Sequence, residues 1–233
     1  MPTLNGGGVA GIPTPPIGYT DIEYILYLAG LQLQDQTQKK WDPSILVPYM
    51  NLVIREIITV KPESYPVVRN ITLSAGVIQS IGTTDILIID AVCNMGSNGI
   101  TVGQAVTGLN KGQIDTLLPG WMSMVADTIV SYVIVDQRDP KTFYVWPPQP
   151  ASPAQNLRVI VSQFPDIITD SKGVFPLDQS YWPTTVDLIV SRALKEETTI
   201  PNALAKAVQF EQSAMQKLGV KTAVETRIEQ KGN

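Results

Sequence analysis

The residues able to do chemistry are few, and their spacing is uninformative about a reaction. Carboxylates occur in close pairs at Asp136/Asp139, Asp166/Asp170 and Glu196/Glu197. Such a pair is the minimum equipment for glycosidic hydrolysis, which needs the two groups about 5–10 Å apart. Spacing along the chain does not set that separation. All three pairs also fall in turns or at a helix end, where a carboxylate caps backbone N–H groups or stays in water. The only cysteine, Cys93, follows an apolar run with no basic neighbour to make it a thiolate, and one cysteine permits neither an internal disulfide nor a Cys-x-x-Cys site. It reads as a buried structural thiol. Histidine is absent, which removes the commonest general base, the usual zinc ligand and the central member of a hydrolytic triad. The expectation is a protein that is not an enzyme, with no cofactor and no metal.

Two further motifs bear on ligands. Gly6, Gly8 and Gly11 match the dinucleotide fingerprint G-x-G-x-x-G, but that loop works only between a strand and a helix N-terminus, and neither flanks it here. Phe143, Tyr144 and Trp146 lie beside Arg138 and Lys141 and form a candidate stacking platform for bases or sugars. The formal charge of −4 and pI near 4.9 argue against a surface for phosphate backbones or anionic lipid. Alternate residues of a strand point to opposite faces, so ordinary strand-pair packing accounts for the aromatics as well.

The elements that would position these groups can be read from periodicity. Hydrophobic residues make up 44% of 233 positions, which excludes disorder on composition and suits one larger domain or two small ones. The longest apolar stretches, such as Ile129 to Val135, are far short of the ~20 residues of a membrane helix, so no membrane partner is expected. Residues 1–19 are rich in Gly and Pro and lack the charged start of a signal peptide, which predicts a loose arm on a protein that stays in the compartment where it is made. Thr20 and Glu23 form a capping box ahead of Ile22, Ile25, Leu26, Ala29 and Leu33 at helical spacing. Asp42-Pro43 starts a second helix, in which Pro48 should produce a kink or a short tighter turn near residues 44–48.

From Val67 the pattern becomes β-branched. Strands are predicted at 67–74, 77–81, 86–94, 129–135, 142–146 and 156–164. The interval Gly82 to Asp85 has hairpin length, residues 102–113 read as a mixed loop, and Pro147 and Pro148 should end the strand from Thr142. Helices return at 183–197 and 201–218, the latter capped by Gly219. The fold class is therefore α+β. A helical subdomain takes residues 20–61 and 182–218 from the two ends, an antiparallel β subdomain takes 62–181, and residues 219–233 form a charged tail. In that tail Val220, Ala223, Val224 and Ile228 recur at helical spacing with Arg227 among them, a stripe that forms a stable helix only when something covers it.

The order of these features resembles the head-to-tail adaptor proteins of short-tailed bacteriophages from about Thr20 to about Leu218. The carriers are the opening amphipathic helix, Trp41 with Tyr49-Met50-Asn51 and Arg55, Val92-Cys93-Asn94-Met95-Gly96 and Gly103-Gln104-Ala105-Val106. Leu117 to Trp121, the run Asp139-Pro140-Lys141-Thr142-Phe143-Tyr144-Val145-Trp146-Pro147-Pro148 and the helix Leu188 to Leu194 complete them. The resemblance implies a structural virion subunit, assembled in the host cytoplasm as a twelve-fold ring of itself, that docks on the portal protein, accepts the tail nozzle protein and lets DNA pass without specific binding. Within that reading, Val220, Ala223, Val224, Arg227 and Ile228 are candidates for portal docking. The hairpin tip of Asp136, Arg138, Asp139 and Lys141 is the candidate contact with nozzle or neighbour. The alternative is a carbohydrate- or receptor-binding tail protein that uses the aromatic hairpin.

Overall fold

The computed structural model describes residues 18–136, 138–197 and 201–231, with side chains as far as residue 219. The α+β class holds, with 39% of the chain helical and 24% in strands. The chain divides into two compact units, one from residues up to Glu56 together with those from Asp166 onward, the other from Ile57–Pro165. These boundaries differ from those read in the sequence. The loop at 166–181 belongs with the helices, because Ile168 exchanges two hydrogen bonds with the side chain of Asn51, at 2.8 and 2.9 Å.

The helical unit holds α1 (Asp21–Gln32), the larger part of α2 (Pro43–Val60), α4 (Trp182–Glu196) and α5 (Ala203–Lys231). The predicted capping box starts α1: Thr20 Oγ1 accepts from Glu23 N, and Glu23 returns a carboxylate to Thr20 N. Ile22, Ile25, Leu26 and Ala29 are buried as their spacing requires. α2 runs through Pro48 as one α-helix. It has the length and hydropathy of a membrane span, with a mean hydropathy of 1.3, yet 39% of that window is buried inside the protein. Leu46, Met50, Val53 and Ile57 supply a core face, which is reason enough for its apolarity. α4 is buried on nearly every side, with α1 and α5 packed against it. Small residues on α5, namely Ala203, Ala207 and Ala214, permit the close approach. Gly219 does not cap α5. The helix continues through it to Lys231.

The β unit holds two sheets. β1 (Pro66–Thr72), β7 (Asn156–Gln163) and β3 (Asp85–Asn94) form the first in the order β1-β7-β3, all antiparallel. β2 (Gly76–Ser80), β6 (Thr142–Gln149), β5 (Tyr132–Val135) and β4 (Thr107–Asn110) form the second in the order β2-β6-β5-β4. Between them Leu157, Val159 and Val161 of β7 meet Val133 of β5 and Phe143 and Val145 of β6 in one core. The alternate residues Tyr132, Ile134, Tyr144 and Trp146 face the other way, where Ile114 of α3 (Lys111–Leu117) and Trp121 cover them. This is the two-residue period of a strand serving two apolar layers.

Three expectations are corrected here. Residues 107–110 are not loop but strand β4, paired parallel to β5, so the second sheet is mixed. Gly82 to Asp85 does not close a hairpin: β2 and β3 lie in different sheets, and the chain crosses over at a turn held by Asp85 Oδ2 accepting from Gly82 N at 3.0 Å. β6 is not stopped by Pro147 and Pro148. The prolines donate nothing, but Trp146 and Pro148 still accept through their carbonyls from Ser131 N at 2.8 Å and Asp127 N at 3.0 Å. The antiparallel hairpin β5–β6 is as expected.

Candidate functional site

At the β5–β6 tip, the chain must turn between Val135 and Thr142, and local polar bonds make the turn. Asp136 Oδ1 accepts from Arg138 N at 3.0 Å and Nε at 2.9 Å, and Oδ2 accepts from its second guanidinium nitrogen at 2.7 Å. This two-pronged donation, from side chain and backbone, holds the Asp136 carboxyl down at about 2. Asp139 O accepts from Thr142 N at 3.3 Å. Lys141 Nζ reaches back to the β2–β3 connection, donating to the carbonyls of Thr83 and Asp85. The structure thus brings together Asp136 with Arg138, ties Lys141 to another turn and leaves Asp139 as a turn residue.

Beside the tip lies a cleft of about 740 Å³ lined by Leu87, Leu109 and Val135 and by Lys111, Asp136 and Arg138. Its charges are already matched: Lys111 pairs with Asp115 at 2.7 Å, as Arg138 does with Asp136. Among the described lining residues both cations are matched by a neighbouring carboxylate, so what the cleft presents is shape and apolar area. Among the described residues, no group of three or more Cys, Asp or Glu side chains is arranged to hold a metal ion.

The remaining candidates are scattered. Asp170 accepts from Lys172 N at 2.7 Å, and both Asp166 and Asp170 are exposed. Glu196 and Glu197 diverge, one toward Tyr49 and the other into an ion pair with Lys40. Cys93 is buried, its Sγ 3.7 Å from Met95 Sδ. The aromatic group is divided between layers. Phe143 is in the inter-sheet core, Tyr144 meets Trp121 edge-on at 6.0 Å, and Trp146 lies 5.6 Å from Tyr132. Gly6, Gly8 and Gly11 lie outside the described residues, as do the side chains of Val220, Ala223, Val224, Arg227 and Ile228.

The backbone of that last group is described, and it is helical. Lys195 pairs with Glu211, while Ser213 and Lys217 bracket Asp187, so α4 and α5 run antiparallel. Continued in that register, the first residue of α4, Trp182, falls opposite about residues 220–224. The last two turns of α5 therefore extend beyond α4 by roughly 10 Å at 1.5 Å per residue. Sequence reasoning missed Asp187 and Lys217, because nothing local marks two residues that meet from different helices. It likewise missed Arg69 and Asp85, which pair at 3.0 Å between β1 and β3.

No protein-family model matches the chain, and no curated protein matches it.

Proposed function

We propose that the chain is a structural virion subunit of a short-tailed bacteriophage, an adaptor that assembles as a ring between portal and tail nozzle and lets DNA through. The observation that carries this reading is the end of α5, which continues past Trp182 of α4 from about residue 225 and carries Ile228 there, on a stripe whose earlier members Val220, Ala223 and Val224 fall opposite the start of α4. Isolated helical ends of this size are marginal in water, and a partner that covers such a stripe supplies the missing burial. Support also comes from the hairpin tip, whose self-neutralised charges and adjoining apolar cleft suit a protein contact better than catalysis. A net charge of −4 per subunit repels phosphate and favours sliding over binding. A head-to-tail contact repeated by rotation closes into a ring, twelve-fold in the adaptor family the sequence resembles.

The receptor- or glycan-binding alternative has less behind it. Its platform would need the aromatic faces free, and Phe143, Tyr144 and Trp146 are each packed against neighbours. Native mass spectrometry of the full chain, alone and mixed with the portal protein from the same genome, tests the proposal. The expected result is a multi-subunit complex only in the mixture. Failure to associate with that portal overturns the adaptor reading.

A further inference from the structure

We infer that a cleft in the helical unit is the seat of the chain's own proline-rich arm, specifically Ile12-Pro13-Thr14-Pro15-Pro16-Ile17. This inference stands independently of the adaptor reading. The cleft has two adjoining parts of about 420 and 580 Å³, which share Pro43 and Ser171 in their linings. Tyr19, Leu26 and Tyr27 line the first part, Val47 and Pro48 the second. The rings of Tyr19 and Tyr27 are 5.6 Å apart and tilted by 49°, a paired aromatic surface in the lining of the first part.

That lining has the chemistry that takes a polyproline helix. Proline rings pack against tyrosine and proline faces, and a proline-rich backbone has carbonyls but few N–H groups, so it needs donors from the groove. Gln36 and Gln38 stand at the rim of the first part with side-chain amides able to donate. The one carboxylate there, on Glu23, already accepts from Thr20 N at 3.0 Å. The six-residue segment itself carries no charge.

Position identifies the occupant. Seventeen residues precede Gly18, and Gly18 itself lines the cleft. Its φ of +101° lies in the region that side chains disfavour, so glycine is what lets the chain change direction there. Six residues in polyproline II form span about 19 Å, enough to run from the first part of the cleft into the second. A tether this short gives a millimolar effective concentration, so even a weak contact is occupied.

Disulfide trapping in the full chain tests this, with Cys93→Ala as background. Thr14→Cys paired with Gln38→Cys is expected to oxidise within one chain about tenfold faster than Thr3→Cys paired with Gln38→Cys, because only the first pair is held in place. Pro15→Ser with Pro16→Ser, or Tyr27→Ala, should remove that advantage while circular dichroism stays unchanged. Equal rates for the two pairs would mean a merely tethered arm and overturn the inference. Disulfide-linked dimers would also overturn it, since the cleft would then hold a second copy's arm.

Discussion

Lys217 of α5 donates to the Asp187 carboxylate of α4 across 2.5 Å, and Ser213, one turn earlier on α5, donates to the same oxygen at 2.8 Å. The pair sets the register of the last long helix against the most buried one. Replacing Lys217 with Met should cost roughly 1–2 kcal/mol in chemical denaturation, the usual worth of a hydrogen bond to a charged group discounted for the exposure of the lysine. A change below about 0.3 kcal/mol would mean that the apolar contacts of Ala207, Ala214 and Leu218 set the register by themselves.

A second ion pair holds the three-stranded sheet. Asp85 is 1% exposed, and its Oδ1 lies 3.0 Å from Arg69 Nε in an ion pair that is not aligned as a hydrogen bond, while a terminal guanidinium nitrogen of Arg69 donates to Gln163 at 3.1 Å, so one guanidinium joins β1, β3 and β7. Arg69→Ala removes the counter-ion of a buried carboxylate, which keeps, of its described partners, only the Gly82 N–H. The expected loss is about 2–4 kcal/mol, short of the largest values for a buried pair because Arg69 is 39% exposed and water can replace it in part. The double variant with Asp85→Asn should recover part of that loss, and equilibrium unfolding of the two variants measures it.

At alkaline pH the informative group is Tyr49. Burial, and next its hydrogen bond to the Glu196 carboxylate, push the phenol up to about 12. Folding therefore favours the neutral phenol. That contribution is whole below pH 10 and is lost as the pH rises from there through about 12. The wild-type chain should lose more stability over this window than Tyr49→Phe, as followed by urea midpoints. Equal losses would show that the phenol titrates freely.

The hairpin tip has the opposite sign. Asp136 has its carboxyl held at about 2 by Arg138, so its contribution is present above pH 4 and lost as the pH falls toward 2. NMR titration of the Asp136 carboxyl should give a value near 2 in the wild type and one closer to 3.8, the ordinary carboxyl value, in Arg138→Ala. A value unmoved by that substitution would assign the shift to the backbone N–H of residue 138.

Truncation after Gly219 removes the overhanging end of α5 together with the turn opposite Trp182, and leaves the described side-chain contacts with α4 at Glu211, Ser213 and Lys217 in place. The shortened chain should keep its thermal midpoint within a few degrees and fail to decorate portals in electron micrographs. Ile228→Asp in the full chain should do the same without shortening the helix. Normal decoration by both would place the anchor elsewhere, in the arm or in α4.

Local rules determined much of this protein from its sequence. The capping box at Thr20 and Glu23, the helical stripes, the alternation of Val133 against Ile134 and of Phe143 against Tyr144, and the closed hairpin between them depend on residues only a few positions apart. The absence of histidine and the single Cys93 removed whole classes of chemistry in the same direct way. Tertiary structure decided what depends on distant partners. β4 is short and carries little apolar signal of its own, and it is a strand because β5, more than twenty residues on, offers it a parallel edge. Gly82 to Asp85 has the length of a hairpin turn, but the strand that starts at Asp85 finds its partner in β7 of the other sheet. Pro147 and Pro148 stay in β6 because their carbonyls still find donors at Asp127 and Gln149. Gly219 has the residue type of a cap but a helical backbone, since a glycine ends a helix only where the chain turns left-handed, and here the helix continues to Lys231.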